Sequence, residues 1–305
     1  MIEFKENIKD LEKAIMKTIA FFDLFNYALT SFEIYKYLYG MQASFHEVRE
    51  KLQQMRENLL IERNGFYALR DRVEIIENKN EQYHFTNQKL KIVRRVARIL
   101  KYLPGIRMIA LCNNFYYTPK SDIDLFIIVR RGELWTTRFF TTILMHILRL
   151  RRHGKQIADR VCLSFYITDD NLDLSGIALP EDPYFYYWLI LLQPIYDTQV
   201  YREFNLANKW ILQKLPNFSQ NIFKKDIEDS KISKKFRKLD KKFHNSILQR
   251  KIENFFRIIQ KRKMQANQKS LARHDDTRVL ISDKILKFHE GDRREFYREK
   301  WQRSL

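Results

Sequence analysis

Apolar residues recur at helical spacing through Ile8, Leu11, Ile15, Ile19 and Phe22, which predicts a helix from Ile8 to Phe25. Asn26-Tyr27-Ala28-Leu29 breaks the period. Thr30 or Ser31 can cap a second helix ending near Gly40. Ser44 precedes a third, Phe45 to Glu57, with Val48, Leu52 and Met55 on one face. Two short apolar runs then flank Asn64-Gly65, a dipeptide that supplies the two positive-φ positions of a tight hairpin.

The pattern changes after Tyr83. A basic helical stretch to Leu103 meets Pro104-Gly105, which ends it and opens a strand, Ile106 to Cys112. A polar loop, Asn113 to Lys120, leads to Ser121-Asp122-Ile123-Asp124-Leu125 and the apolar run Phe126 to Val129, a second strand. A long helix is predicted from Gly132-Glu133 to about Arg152, with Phe139, Phe140, Ile143, Leu144, Ile147 and Leu150 as its core face. A third strand, Val161 to Ile167, is predicted with Cys162, Ser164 and Tyr166 on one face. Helices are expected over Pro183 to Gln193 and Val200 to Leu215, and charged helix through the remainder.

Composition adds the balance of charge. The 305 residues carry 56 Lys+Arg against 37 Asp+Glu, a formal net charge of +19. The excess is uneven: Asn217 to Lys263 holds fifteen basic residues against five acidic ones. A field of that size attracts polyanions, nucleic acid first and anionic membrane second, so RNA, DNA or a nucleotide is the expected partner of this segment. The longest apolar stretch, Tyr184 to Leu192, is far shorter than the ~20 residues of a spanning helix, so no membrane is expected. There is no secretory-signal pattern at the start, and the two cysteines, Cys112 and Cys162, sit inside apolar runs. A cytoplasmic protein with reduced, buried thiols is the expectation.

The chemistry lies at the second strand. Side chains two apart on a strand share a face, so Asp122 and Asp124 point to one spot while Ile123 turns to the core. Like charges held together repel unless a cation lies between them, and a hard divalent ion, Mg²⁺ or Mn²⁺, takes oxygen ligands of this kind. Such ions neutralise a triphosphate and orient the attacking oxygen in phosphoryl and nucleotidyl transfer.

The order of strand, short loop, strand opening with Asp-x-Asp, and long helix resembles the DNA polymerase beta-like nucleotidyltransferases, in particular their minimal bacterial branch. The likeness covers about residues 104–170. It implies an α/β (α+β) fold: a small mixed-sheet core over 81–200, between an N-terminal unit (1–80) and a basic helical C-terminal region (201–305). The three helices and hairpin over residues 8–72 look like a winged helix-turn-helix. The resemblance makes Asp122 and Asp124 metal ligands and catalytic residues. It makes Asn113, Asn114, Lys120 and Ser121 contacts for the phosphates of an NTP, ATP first. The family's Gly-Ser is replaced here by Asn113-Asn114; Asn is the next residue after glycine to tolerate positive φ. The family's third carboxylate has no counterpart inside the third strand, and Asp159, Asp169 or Asp170 would have to supply it. The implied activity is metal-dependent transfer of a nucleotide to an acceptor hydroxyl, reduced or lost if no third acid reaches. The alternative is a non-catalytic winged-helix nucleic-acid-binding protein with a degenerate transferase domain.

Overall fold

Residues 2–112, 117–219, 227–244, 246–265, 277–289 and 291–304 are described by a computed structural model. The first third runs α1 (Ile2–Asp23), β1 (Leu29–Thr30), α2 (Ser31–Lys36), α3 (Phe45–Met55), β2 (Leu60–Arg63), β3 (Phe66–Leu69), α4 (Val73–Glu77) and α5 (Lys79–Leu100). The middle holds β4 (Ile106–Leu111), β5 (Ile123–Val129), α6 (Leu134–Ile147), β6 (Val161–Thr168), α7 (Pro183–Ile190), β7 (Gln193–Asp197) and α8 (Val200–Ala207). Last come α9 (Lys231–Phe243), α10 (Ile247–Gln265), β8 (Val279–Ile281), β9 (Ile285–Phe288) and α11 (Arg294–Arg303). The class is mixed α+β, as expected.

Local chemistry explains the first elements. Thr30 and Ser44 each form a capping box, with Glu33 and Glu47 returning the hydrogen bond to the cap backbone. Asn64 and Gly65 take φ of 53° and 79° between β2 and β3, the left-handed pair that a two-residue hairpin needs. β1 pairs with β3 to give a three-stranded sheet.

The larger sheet has the order β7-β4-β5-β6-β9-β8. Among the described residues β5 and β6 pair in parallel, whereas β4–β5, β4–β7, β6–β9 and β8–β9 are antiparallel. One face, with Met108, Ala110, Phe126, Ile128, Phe165 and Ile167, joins the core of α7 and α8, and that core continues without a break into α1 to α3. Phe21 meets Tyr187 at a ring separation of 4.4 Å, and the Tyr187 hydroxyl donates to the Tyr37 carbonyl (2.9 Å). The other face, with Ile109, Leu111, Ile123, Leu125, Ile127 and Val129, packs against α5 and α6.

Four expectations are corrected. The helix from Pro183 stops at Ile190, and Gln193–Asp197 becomes β7. Pro194 cannot donate to a ladder, and β7 is an edge strand, where proline is tolerated. Residues 201–305 are not all helical, because the β8–β9 hairpin completes the large sheet through β6.

The inner face of α6 is Leu134, Thr137, Thr141 and Met145 rather than its phenylalanines. The threonines are satisfied: Thr137 donates to the Pro104 carbonyl (2.9 Å), and Thr141 shares a 2.9 Å hydrogen bond with the Tyr166 hydroxyl. Phe139 instead stacks on Phe256 of α10 at 4.1 Å, and Ile147 is 70% exposed.

The fourth correction concerns β6. Asp124 is paired with Cys162, but Phe126 is paired with Phe165, so β6 holds one extra residue. This β-bulge flips the downstream alternation. Phe165 and Ile167 lie on the face of Asp124, whereas Tyr166 turns to α6. Among the described residues no helix is long and apolar enough to cross a membrane.

Candidate functional site

β5 begins in a loop that is tied from behind. Lys89 of α5 is almost fully buried and donates to the Ser121 carbonyl and to Asp159 Oδ1, both at 2.7 Å. The amides of Asp159 and Ile123 extend the β5–β6 pairing outward by bonding the carbonyls of Ser121 and Arg160. The Ser121 hydroxyl is engaged with the Thr118 amide (3.0 Å), so it closes the turn rather than facing a ligand. Asp122 thereby leaves the loop at a fixed point, and Asp124 continues the row of Phe126 and Ile128.

Asp122, Asp124 and Cys162 each present one ligand atom, all within 4.8 Å of one another. All three are partly exposed. The carboxylates suit a hard cation such as Mg²⁺, which binds through one or two carboxylates and completes its shell with water and substrate phosphate. Cys162 does not suit it. Burial, reinforced by Asp124, pushes the Cys162 thiol up to about 12, so sulfur stays protonated and is a poor partner for a hard ion.

Arg152 stands over the cluster. Its guanidinium lies 2.7 Å from Asp122 Oδ2. Leu150 and Arg152 hydrogen-bond to Val161 at the start of β6, which sets the position of the arginine.

The cluster opens on a cavity of about 880 Å³. Arg151, Arg152 and Arg293 bring cationic groups to it, and Trp188, Tyr184 and Tyr297 form an aromatic wall. Ser164, at the bulge, and His289 bond across it, with 3.1 Å between Oγ and Nε2. Burial and neighbouring Lys287 push His289 down to about 4, so its imidazole is neutral at pH 7. Lys287 and Arg294 also line the cavity, but both are spent: Asp292 pairs with each, and Arg294 also reaches Asp182. They hold the wall together.

The expected residues therefore separate. Asp122 and Asp124 meet as the alternation required. Lys120 is exposed on the preceding turn, and Asn113 and Asn114 lie outside the described residues. Asp159 is occupied by Lys89. Asp169 and Asp170 follow the far end of β6 and pair with Arg107 and Arg131. A strand of this length puts them roughly 20 Å from the cluster. Cys162, Arg152, Ser164 and His289 were missed. The basic run at Arg149–Arg152 was a signal for Arg152, while the bulge that aims the β6 residues leaves no mark in the sequence.

Comparison with family models, with curated proteins and with solved structures finds no match for this chain.

Proposed function

We propose that the protein is a metal-dependent nucleotidyltransferase, moving a nucleotide from an NTP to an acceptor hydroxyl. The observation that carries this reading is the juxtaposition of Asp122 and Asp124 with Arg152 at the mouth of a cavity large enough for a nucleotide. Asp122 and Asp124 would hold the divalent ion. When bound, that ion would neutralise phosphate charge and orient the displacement. Arg152 exchanges its carboxylate partner for phosphate oxygen, and Arg151 and Arg293 add charge where phosphates would lie. Tyr184 and Tyr297, both partly exposed on that wall and backed by buried Trp188, offer apolar surface to a base. His289, neutral and hydrogen-bonded to Ser164, is one group on this wall able to accept a proton from an acceptor hydroxyl. The two cysteines are free, which fits a reducing cytoplasm. The basic surface favours RNA or DNA as acceptor.

The test is incubation of the purified protein with α-labelled NTPs and Mg²⁺ or Mn²⁺, offering total RNA and protein as acceptors. Label transferred by the wild type and lost in Asp122→Asn/Asp124→Asn supports the reading. Absence of transfer under every condition overturns it in favour of a non-catalytic nucleic-acid-binding protein.

A further inference from the structure

Helix α9 is docked with its polar side inward. Ser233 is fully buried, Arg237 pairs with Asp229, and Asp240 lies 2.6 Å from Arg130. The Ser233 hydroxyl donates to Asp229 (3.1 Å), and the Ser230 side chain caps the helix. These contacts fix the rotation of the helix. The same rotation leaves Ile232, Phe236, Leu239 and Phe243 outside, at 62%, 53%, 45% and 60% exposure. Their spacing of four, three and four residues makes one stripe along about 17 Å of helix. The neighbouring surface is lysine: Lys231, Lys234, Lys235, Lys238 and Lys242 are all exposed.

A surface helix ordinarily turns its apolar stripe to the core. Here the core side is held by hydrogen bonds and ion pairs, and the stripe is offered outward with a cationic flank. We propose that α9 is a membrane-surface anchor that lies on an anionic bilayer. Its apolar stripe would enter the acyl boundary, and its lysines would meet lipid phosphates and carboxylates.

Charge selects this occupant. A second copy of the chain would bring an equally cationic helix and repel it. A nucleic-acid duplex satisfies the lysines, but its bases are stacked inside and it leaves two exposed phenylalanines, an isoleucine and a leucine without a partner. An anionic bilayer satisfies both sets. The helix is far too short to span, in keeping with a helix that lies at the interface.

The test mixes the full-length protein with vesicles of phosphatidylcholine alone, or of equal parts phosphatidylcholine and phosphatidylserine, followed by sedimentation. Binding to the anionic vesicles only, weakened by salt, is expected. Phe236→Ser/Leu239→Ser changes half-exposed positions, Phe236 meeting Tyr102 edge-on, so thermal unfolding should shift by only a few degrees while partitioning falls by about tenfold per residue. Lys234→Glu/Lys238→Glu should lower it by about fivefold per lysine removed, with a further loss from each added acid. Phe236→Trp should show a blue-shifted emission on anionic vesicles and none with a duplex RNA.

The proposal is overturned if the protein ignores the anionic vesicles. It is equally overturned if Phe236→Ser/Leu239→Ser binds them as the wild type does, because charge alone would then explain the attraction. Self-association or RNA binding that depends on Phe236 and Leu239, without vesicle binding, would assign the stripe to another occupant.

Discussion

Arg152 holds Asp122 at 2.7 Å, so the cluster carries its own cation on a movable side chain. Asp124, the neighbouring carboxylate, lies opposite Cys162 in the strand ladder. Under the proposed nucleotidyl transfer such a site would switch partners: arginine on carboxylate without substrate, arginine on phosphate with it.

That exchange predicts opposite effects from one substitution. Arg152→Ala removes a competitor for Asp122 and should raise Mn²⁺ affinity in the absence of nucleotide by up to about tenfold. It should weaken NTP binding in the presence of metal, because a phosphate contact is lost. Stability should change by less than about 1 kcal/mol, the guanidinium being nearly half exposed. Titration of Mn²⁺ with and without NTP, alongside thermal unfolding, separates these quantities. A fall in metal affinity would show that Arg152 positions Asp122 rather than competing for it.

Gly105 provides a test of the packing behind the site. Its φ is +76°, and a Cβ there would meet Thr137 Oγ1 at 2.6 Å and Glu133 Oε2 at 2.7 Å. Its carbonyl also accepts from the Arg130 amide (2.7 Å) at the end of β5. Gly105→Ala combines backbone strain with a clash against buried polar atoms and should destabilise the fold by about 2–3 kcal/mol. Chemical denaturation would measure it, and an unchanged midpoint would contradict the placement of α6 on the β4 entry turn.

The features legible in the sequence were those with a strict period or an obligatory turn residue. Asp122 and Asp124 come together because the Ile123 amide keeps the chain extended into β5, where two-residue alternation applies, and Asn64-Gly65 marks its hairpin because few other pairs fit it. The bulge in β6 breaks the alternation rule at one residue, and Tyr166 and Phe165 exchange faces in consequence. The α6 threonines misled for a different reason. They bury by satisfying their hydroxyls with Pro104 and Tyr166, partners that only the tertiary structure supplies. The β8–β9 hairpin is three and four residues long, too short for periodicity to register.

The His289 imidazole predicts a pH dependence. Its folded-state pKa, about 4, lies below the ordinary 6.5, chiefly through burial and then through Lys287. The unfolded chain therefore binds more protons between those values, and stability rises with pH across that window. The contribution is complete above pH 6.5, is lost as pH falls toward 4, and stays absent below. Allowing for the ring's remaining exposure, the loss is of order 2 kcal/mol. Asp292, whose carboxyl Lys287 and Arg294 hold low against the cost of burial, acts in the same direction at lower pH. His289→Gln keeps a partner for Ser164 and should flatten the unfolding midpoint between pH 6.5 and 4.5. A profile as steep as the wild type would assign the dependence to Asp292.

Cys162 is the position where the cluster departs most from a hard-metal site, and it offers the sharpest test of what the cluster is for. Its sulfur lies within 4.8 Å of both carboxylates but stays protonated, so it adds bulk without charge. Cys162→Asp would place a third carboxylate on the same spot. Without a cation, three like charges should destabilise the fold by about 1–2 kcal/mol, or one of them should remain protonated. With Mn²⁺ or Mg²⁺ the sign should reverse: metal affinity should rise by about tenfold or more, and thermal unfolding should become strongly metal-dependent. Cys162→Asn is the control, since it adds an oxygen ligand without the charge. Stabilisation by metal in Cys162→Asp alone would establish that Asp122 and Asp124 form a cation site one ligand short. Equal insensitivity of both variants would mean that the carboxylates serve Arg152 and no ion.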